Sequence, residues 1–232
     1  MSKFKVVLWD IDGTILDFVA AEKAAIRKCF SIFGLGECTD NMLGIYSAIN
    51  KEYWKRLERG EITKKEVLEG RFRDFFQKYN FDTSIVADFN AEYQVRLGDT
   101  VCFCKNGLEM VKTCKGKVLQ YAVTNGTRIA QERKLKNSGL IELLDGVFIS
   151  DIVGVEKPSI DFFNEVFNQI GTYDKSEVII VGDSLTSDMQ GGINAEIVTC
   201  WYNPEQKEND LGLKLDYEIS DLGDLSHILG IV

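Results

Sequence analysis

The sequence predicts an α/β protein with a doubly wound parallel sheet, Rossmann-like in architecture, into which an all-helical cap is inserted. Residues 4–9 form a short apolar run rich in β-branched and aromatic residues, which is typical of a buried strand. From about residue 18 to residue 98, apolar residues recur at helical spacing and no convincing strand is found. After residue 106, strand and helix patterns alternate, and this alternation favours a parallel sheet.

The individual elements follow from the same patterns. Thr63 precedes Glu66 by three residues, which predicts a capping box at a helix start, and Gly60 indicates a helix end. The helices of the insert are predicted over residues 19–33, 41–59, 63–79 and 83–97. Further strands are predicted at residues 118–123, 146–150, 178–181 and 197–201, with helices at 107–115, 129–137, 160–170, 187–195 and 222–229. We therefore divide the chain into an α/β core, residues 1–16 and 99–232, and a helical cap, residues 17–98.

Composition excludes several classes of protein. The formal net charge of −9, without any long basic run, argues against binding to polymeric nucleic acid or to anionic membranes. The single histidine, His227, argues against a Ser-His-Asp hydrolase, a Cys-His protease or a multi-histidine zinc site. Six cysteines without a CxxC pair, no signal peptide and no long apolar segment predict a cytoplasmic protein with reduced thiols. The expected assembly is a monomer or a weak homodimer.

Four polar motifs lie at or close to the carboxyl ends of predicted strands. Open parallel sheets form their sites at that edge, so the side chains of these motifs are expected to lie near one another. Each motif alone is a modest signal, whereas their order and positions together are a strong one. The motifs are Asp10-Ile11-Asp12-Gly13-Thr14, Thr124-Asn125-Gly126, Lys157-Pro158, and Gly182-Asp183 with Asp188 five residues further on.

The carboxylates of these motifs predict a cation site. If Asp10, Asp12, Asp183 and Asp188 converge, their mutual repulsion is costly unless a cation neutralises it. Mg²⁺ prefers oxygen ligands and suits a site that also holds a phosphate. The alternative is that these residues cap helices and fill turns, and it carries more weight for Asp188 than for Asp10 and Asp183.

Other residues of the same motifs predict an anion site. Thr124 offers a hydroxyl, and backbone N–H groups that follow Thr124 and Asp10 can point at an anion. Lys157 adds a full positive charge, and Pro158 restricts the Lys157 backbone to an extended conformation that helps to aim the side chain. The alternative for Lys157 is a solvated surface lysine, the commoner situation for that residue type.

These four motifs, in this order, resemble those of the haloacid dehalogenase-like hydrolases, and the resemblance extends over the whole chain. It implies a Mg²⁺-dependent phosphatase in which Asp10 attacks phosphorus and forms an aspartyl-phosphate. Asp12 would protonate the leaving oxygen and later deprotonate the hydrolytic water. The resemblance also implies the ligands: Mg²⁺ on the Asp10 carboxylate, the Asp12 backbone carbonyl and Asp183, with Asp188 bound directly or through water, and the phosphoryl oxygens on Thr124, Asn125 and Lys157.

Two longer segments are similar to the YjjG-type pyrimidine 5′-nucleotidases of that superfamily. They are the cap segment around residues 50–72 and the segment of residues 182–201. The similarity implies hydrolysis of pyrimidine or noncanonical nucleoside 5′-monophosphates, although Gly13 stands where that branch often has an acid. Alternatives are a phosphatase for sugar phosphates or phosphoglycolate, a 2-haloacid dehalogenase, which would lack the acid at Asp12, and a catalytically silent protein that binds phosphorylated ligands.

The cap offers candidates for binding the leaving group. Trp54, with Tyr46 and Tyr53, could stack on a base, or the aromatic residues could form the core of the cap. Arg71 could contact a base or ribose, or could pair with Glu66 or Glu69 on its own helix. A small phosphorylated metabolite is therefore the expected partner.

Overall fold

A six-stranded parallel sheet forms the centre of the computed structural model, which describes residues 2–231. Its spatial order is β3-β2-β1-β4-β5-β6, so β1 lies between β2 and β4. This arrangement confirms the predicted doubly wound sheet. The strands are β1 (Val6–Trp9), β2 (Leu119–Thr124), β3 (Gly146–Ile149), β4 (Val178–Gly182), β5 (Val198–Tyr202) and β6 (Tyr217–Ile219).

Helices cover both faces of the sheet, because alternate residues of each strand point to opposite sides. In β1, Val7 and Trp9 join one hydrophobic cluster, whereas Val6 and Leu8 join another. The helices of the sheet region are α5 (Gly107–Cys114), α6 (Arg128–Asn137), α7 (Ser150–Val153), α8 (Ile160–Ile170), α9 (Gln190–Asn194) and α10 (Leu225–Leu229).

Four helices between β1 and β2 surround a separate, aromatic-rich hydrophobic cluster. They are α1 (Phe18–Phe33), α2 (Asp40–Glu58), α3 (Lys64–Lys78) and α4 (Val86–Leu97). Tyr46 is completely buried there and stacks on Phe72 at a centroid distance of 5.0 Å. The core interpretation is therefore correct for Tyr46. The predicted capping box at Thr63 and Glu66 is present.

The two chain connections between this helical region and the sheet lie side by side. The Asp17 N–H donates to the Cys102 carbonyl at 2.8 Å, and the Cys104 N–H donates to the Ile15 carbonyl at 2.9 Å. The chain therefore leaves and re-enters the sheet region at one place, next to the end of β1. Among the described residues, no helix combines the length and apolar character that crossing a membrane requires.

The structure differs from the sequence prediction at the short helix α7, which was not predicted, and more notably in the tail and after the fourth motif. The edge strand β6 lies in the tail, where no strand was predicted, because three residues are too few to show an alternating pattern and pairing with β5 defines the strand. The helix expected over residues 187–195 begins as a widened turn at Leu185–Met189. There the Ser184 carbonyl accepts from the N–H groups of both Asp188 and Met189.

Candidate active site

The sheet order places the acidic motifs next to one another. Trp9 of β1 is in register with Val181 of β4, so Asp10 and Asp183 follow neighbouring strand ends. Thr124 ends β2 on the other side of β1. The first, second and fourth motifs thus meet at one edge of the sheet, as expected for an open parallel sheet.

Three carboxylates converge at this edge. One oxygen of each of Asp10, Asp183 and Asp188 lies within 4.8 Å of the others. Asp10 and Asp188 are buried, whereas the Asp183 side chain is exposed to solvent. The cluster therefore has one open side from which a ligand can approach.

Two glycines make this approach of the carboxylates sterically feasible. Gly13 has a φ of +93°, and a Cβ there would lie 2.7 Å from an Asp183 carboxylate oxygen. A Cβ at Gly182 would collide with the Asp188 carboxylate. A side chain at Gly182 would displace the Asp188 carboxylate, and one at Gly13 would require a strained backbone and a shift of the Asp183 carboxylate, so in this chain both glycines favour the observed geometry.

Lys157 joins two of the carboxylates from the protein interior. Its ammonium group lies 2.9 Å from Asp10 Oδ1 and 2.7 Å from Asp188 Oδ1, and it also donates to the Val123 carbonyl at 2.6 Å. The residue is 1% exposed, so the surface-lysine alternative is wrong. Burial alone would lower its pKa, but the charges of Asp10 and Asp188 raise it, and Lys157 stays charged.

Burial and crowding favour protonation of the carboxylates. Burial raises the pKa of Asp10 to about 7, although Lys157 opposes the shift. Although Asp183 is exposed on one side, loss of hydration where its carboxylate faces the cluster and the negative charges of Asp10 and Asp188 raise its pKa well above the ordinary value. The single ammonium of Lys157 thus leaves an excess of negative charge. A hard divalent cation, which prefers carboxylate oxygens, fits this donor set.

The remaining residues of the first two motifs hold the site in place. Thr14 donates to Asp10 Oδ2 at 3.1 Å, and Thr124 is buried at the end of β2, its hydroxyl accepting from the Gly126 N–H. The Asn125 amide accepts from the Lys157 N–H and donates to the Lys157 carbonyl, both at 2.8 Å. Asn125 therefore fixes the Lys157 backbone with its side chain, and its contact with a phosphoryl group stays a prediction.

The Asp12 side chain points away from the other three carboxylates, toward α6. Gln131 donates to Asp12 Oδ2 at 2.6 Å, and Lys134 forms an ion pair with Asp12 Oδ1. Neither α6 residue can be found from the sequence, since nothing in the helix pattern separates Gln131 and Lys134 from solvated side chains. If Asp12 binds the metal, it can therefore do so only through its backbone carbonyl.

Two charged residues of the helical region, also missed from the sequence, contact loops that carry the motifs. Glu58 at the end of α2 accepts from the Thr186 hydroxyl, and burial raises the pKa of Glu58 to about 7. Lys64 at the start of α3 lies 2.8 Å from Ser150 Oγ, 3.2 Å from the Gly126 carbonyl and 2.5 Å from Asp151. Glu58 could have been found from the sequence, because it lies one helical turn after Trp54, a predicted substrate-binding residue, on the same face of α2.

The two cap residues predicted to bind substrate lie in different surroundings. Trp54 is partly exposed on the α2 face that ends at Glu58. Arg71 is 2% exposed and donates to Asn50 at 2.7 Å and Asn90 at 3.2 Å, rather than to the acids of its own helix. Arg71 thus belongs to a polar network inside the cap helices, and substrate contacts of both residues stay predictions.

A comparison with known families agrees with this geometry. The family model described as haloacid dehalogenase-like hydrolase matches residues 4–196. The chain belongs to the haloacid dehalogenase-like hydrolases. The match runs from the start of the sheet, through the helical insert, to the residues after the fourth motif. The predicted family is therefore confirmed.

Individual members of the family match nearly the whole of this haloacid dehalogenase-like hydrolase. The putative HAD-hydrolase YfnB of Bacillus subtilis, solved bound to magnesium, superimposes with a TM-score of 0.92 at 34% identity over 97% of this chain and 98% of that one. Pyrimidine 5′-nucleotidase PynA of Streptococcus pneumoniae is 34% identical over 96% of this chain and 93% of its own length. Pyrimidine 5′-nucleotidase YjjG of Escherichia coli is 27% identical over 98% of each chain.

The raised carboxyl pKa values of this hydrolase predict how its metal-free stability depends on pH. A carboxyl group whose pKa is higher in the folded than in the unfolded state binds more protons when folded. Its contribution to stability is complete below the unfolded pKa, near 4, and is lost as pH rises through the folded pKa, about 7 for Asp10. The contribution of Asp10 to the stability of the metal-free protein should therefore fall as pH rises from about 4 to about 7, which melting temperatures of the parent chain and of Asp10→Asn across that range, with chelator, measure.

The variant Asp183→Asn should stabilise the metal-free protein at pH 8. It removes one charge of the crowded set, and after allowance for solvent screening we expect a gain of about 1 kcal/mol, or about 2–4 °C in Tm. The same variant should lose most of the increase in Tm that Mg²⁺ gives the parent chain. Thermal melts with chelator and with Mg²⁺ measure both effects, and Asp210→Asn in an exposed loop is the matched control. Equal stabilisation of both variants by Mg²⁺ would contradict a cation site at Asp183.

Proposed function

We propose that this hydrolase is a Mg²⁺-dependent phosphatase that forms an aspartyl-phosphate on Asp10 and acts on nucleoside 5′-monophosphates. The observation that carries the proposal is the buried Lys157 ammonium between Asp10 and Asp188, with Asp183 beside them. This arrangement combines a carboxylate nucleophile, a fixed positive charge and a set of cation ligands. Phosphoryl transfer needs positioning and charge neutralisation more than any other help.

The cation would be held by the carboxylates of Asp10 and Asp183 and the backbone carbonyl of Asp12, with Asp188 bound directly or through water. When bound, it supplies neutralisation of the crowded negative charge around the phosphoryl group. The magnesium-bound structure of YfnB supports the choice of Mg²⁺. The raised pKa of Asp10 gives a further reason, since a nearby cation favours the ionised nucleophile.

The residues of the chain divide the reaction into two steps. In the first, an Asp10 oxygen bonds to phosphorus, the bond from phosphorus to the ester oxygen breaks, and Asp12 gives that oxygen a proton. In the second, Asp12 takes a proton from water, the water oxygen attacks phosphorus, and Asp10 is released with inorganic phosphate. Thr124 and Lys157 hold the phosphoryl oxygens through both steps. A carboxylate nucleophile replaces one difficult displacement by two easier ones.

The helical region, residues 17–98, would act as a cap that covers the leaving group. Its connections meet beside β1, and Glu58 and Lys64 contact the motif loops, so its motion would open or close the site. The interdomain movement described for YfnB supports this role. Relatives named as pyrimidine 5′-nucleotidases, together with the partly exposed Trp54 one turn before Glu58 on α2, support a nucleotide leaving group.

A panel of phosphate esters with Mg²⁺ and with chelator tests the proposal. It should include pyrimidine, purine and noncanonical nucleoside 5′-monophosphates, sugar phosphates and phosphoglycolate. We expect phosphate release that chelator abolishes, with nucleotides exceeding the other esters in kcat/KM. Higher kcat/KM for sugar phosphates or phosphoglycolate would replace the nucleotide assignment. Absence of turnover on every ester, with Mg²⁺ bound, would favour a silent protein that binds phosphorylated ligands.

A further inference from the structure

We infer that Gln131 and Lys134 of α6 are positioning residues that hold the Asp12 carboxylate for its proton transfer. The inference rests on the proposed phosphatase function, in which Asp12 serves the leaving oxygen. Neither residue contacts Asp10, Asp183 or Asp188 among the hydrogen bonds of the described residues, so their action passes through Asp12. They are one turn apart on the same face of α6.

Each oxygen of Asp12 has one of these donors. Gln131 donates to Oδ2 at 2.6 Å and Lys134 binds Oδ1. Two donors on the two oxygens fix both the position of the carboxylate and its rotation, as one donor could not. Each oxygen retains a further lone pair, which is available for the proton that passes to or from the reacting oxygen.

The Lys134 side chain is buried, so its contact with Asp12 is part of the protein interior and not an incidental ion pair at the surface. The residue is 1% exposed, and its ammonium lies 5.1 Å from the centre of the Phe18 ring, at the start of α1. Lysine is almost never fully buried unless it is paired, because its charge loses hydration. Within the described chain, Asp12 is the carboxylate that compensates for this loss. A destabilising buried lysine is therefore present beside Asp12, the residue that acts in both steps of the proposed reaction.

The placement of Gln131 also comes at a structural cost. Its amide oxygen is buried and has no hydrogen-bond partner among the described residues, while its amide nitrogen serves Asp12. A Cβ at Gly126 would collide with that amide group, so the glycine of the second motif leaves the room that Gln131 occupies. A buried acceptor without a partner is destabilising, because it has lost its hydration. The hydrogen bond from the Gln131 amide nitrogen to Asp12 offsets this loss.

Helix α6 is also the part of the sheet region that holds α4 of the cap. Thr127 at its start donates to Gln94 at 2.7 Å, and Asn137 at its end donates to the Gly98 carbonyl at 2.8 Å. Arg133, between them, pairs with Asp99. Helix α6 therefore contacts both the Asp12 carboxylate and residues 98 and 99, where the chain returns from the cap to the sheet region.

The test uses the dependence of the reaction on the leaving group. Expulsion of p-nitrophenolate needs little protonation, whereas expulsion of an alkoxide from uridine 5′-monophosphate or from a sugar phosphate depends on the acid. We would measure kcat/KM, which reports the first phosphoryl transfer, for p-nitrophenyl phosphate and for the best alkyl ester. Lys134→Met and Gln131→Met remove each donor at nearly constant size, and Lys136→Met on the exposed face of α6 is the matched control.

We expect Lys134→Met to lower kcat/KM for the alkyl ester by about 10–100-fold, part of the 10²–10⁴-fold that general acid–base catalysis typically contributes. The loss for p-nitrophenyl phosphate should stay below about threefold, because that ester does not draw on the acid. Gln131→Met should change the ratio of the two kcat/KM values in the same direction as Lys134→Met, but by a smaller factor. It introduces no unpaired charge, so it gives an answer even if Lys134→Met melts below the assay temperature.

Two results would overturn the inference. Equal losses of kcat/KM on both esters would mean that α6 serves the phosphoryl group or the fold rather than Asp12, and the absence of any loss in both variants would mean that Asp12 needs no positioning. Failure of the phosphatase proposal looks different, because the parent chain would then hydrolyse neither ester, and the inference would fall with it. A parent chain that hydrolyses both esters, with a ratio unaffected in the variants, overturns the positioning role alone.

Discussion

Replacing Asp10 by asparagine should lower kcat by at least about 10⁴-fold, the scale seen when a nucleophile is removed from an enzyme that works through a covalent intermediate. Asparagine has almost the shape of aspartate, so the position next to Lys157 is kept. An amide oxygen carries no full negative charge and cannot form the acyl-phosphate. The variant should still bind substrate, and the loss should appear in kcat rather than in KM.

The same experiment can test the intermediate directly. Acid quenching of the parent chain with a ³²P-labelled ester should trap label on the protein, and Asp10→Asn should trap none. Asp210→Asn, in an exposed loop, should behave like the parent chain in both assays. Near-normal turnover or retained label in Asp10→Asn would disprove the assignment of the nucleophile.

Replacing Lys157 by methionine should have the largest effect on stability. Lys157 is buried between Asp10 and Asp188, and removal of one partner from a buried ion pair typically costs about 3–5 kcal/mol. For a chain of this size the cost corresponds to a fall in Tm of about 10 °C. Methionine fills a similar volume, so the loss reports the charge and its three hydrogen bonds rather than a cavity.

Mg²⁺ should restore part of this stability, because it neutralises the carboxylates that Lys157→Met leaves unpaired. Turnover should not return with it, since the fixed charge that holds the phosphoryl group is missing. Melting curves of Lys157→Met with and without Mg²⁺, with the exposed Lys136→Met as control, measure this difference. A Tm equal to that of the parent chain in the absence of metal would contradict the buried ion pair.

Local sequence patterns were sufficient for five of the six strands, the cap helices and the convergence of Asp10, Asp183 and Asp188, but they also placed the Asp12 side chain in that cluster. A buried strand followed at once by an aspartate is recognisable without any tertiary contact, and Asp10 and Asp183 both follow that rule. The parallel topology then requires strand ends to meet at one edge. The edge strand β6 was missed because its three residues are defined by pairing with β5 and not by their own pattern.

Charged residues of the helices could not be assigned in this way. Lys134 and Lys136 stand two residues apart in α6, and the local sequence does not show which of them is buried. In the structure Lys134 is buried against Asp12, whereas Lys136 is exposed. Glu58 and Lys64 likewise acquire contacts with the motif loops through the packing of α2 and α3 on the sheet region. Their surroundings depend on how whole helices pack.

The sequence by itself determined the fold class and the convergence of Asp10, Asp183 and Asp188 at the sheet edge, because strand periodicity and chain order can be read along the chain. Tertiary structure alone decided that Lys157 is buried, that Asn125 holds the Lys157 backbone, and that Asp12 turns toward α6. The physical reason is that burial and ion pairing depend on atoms far apart in the chain, since Lys157 and Asp10 are separated by 147 positions in sequence and Lys134 and Asp12 by 122.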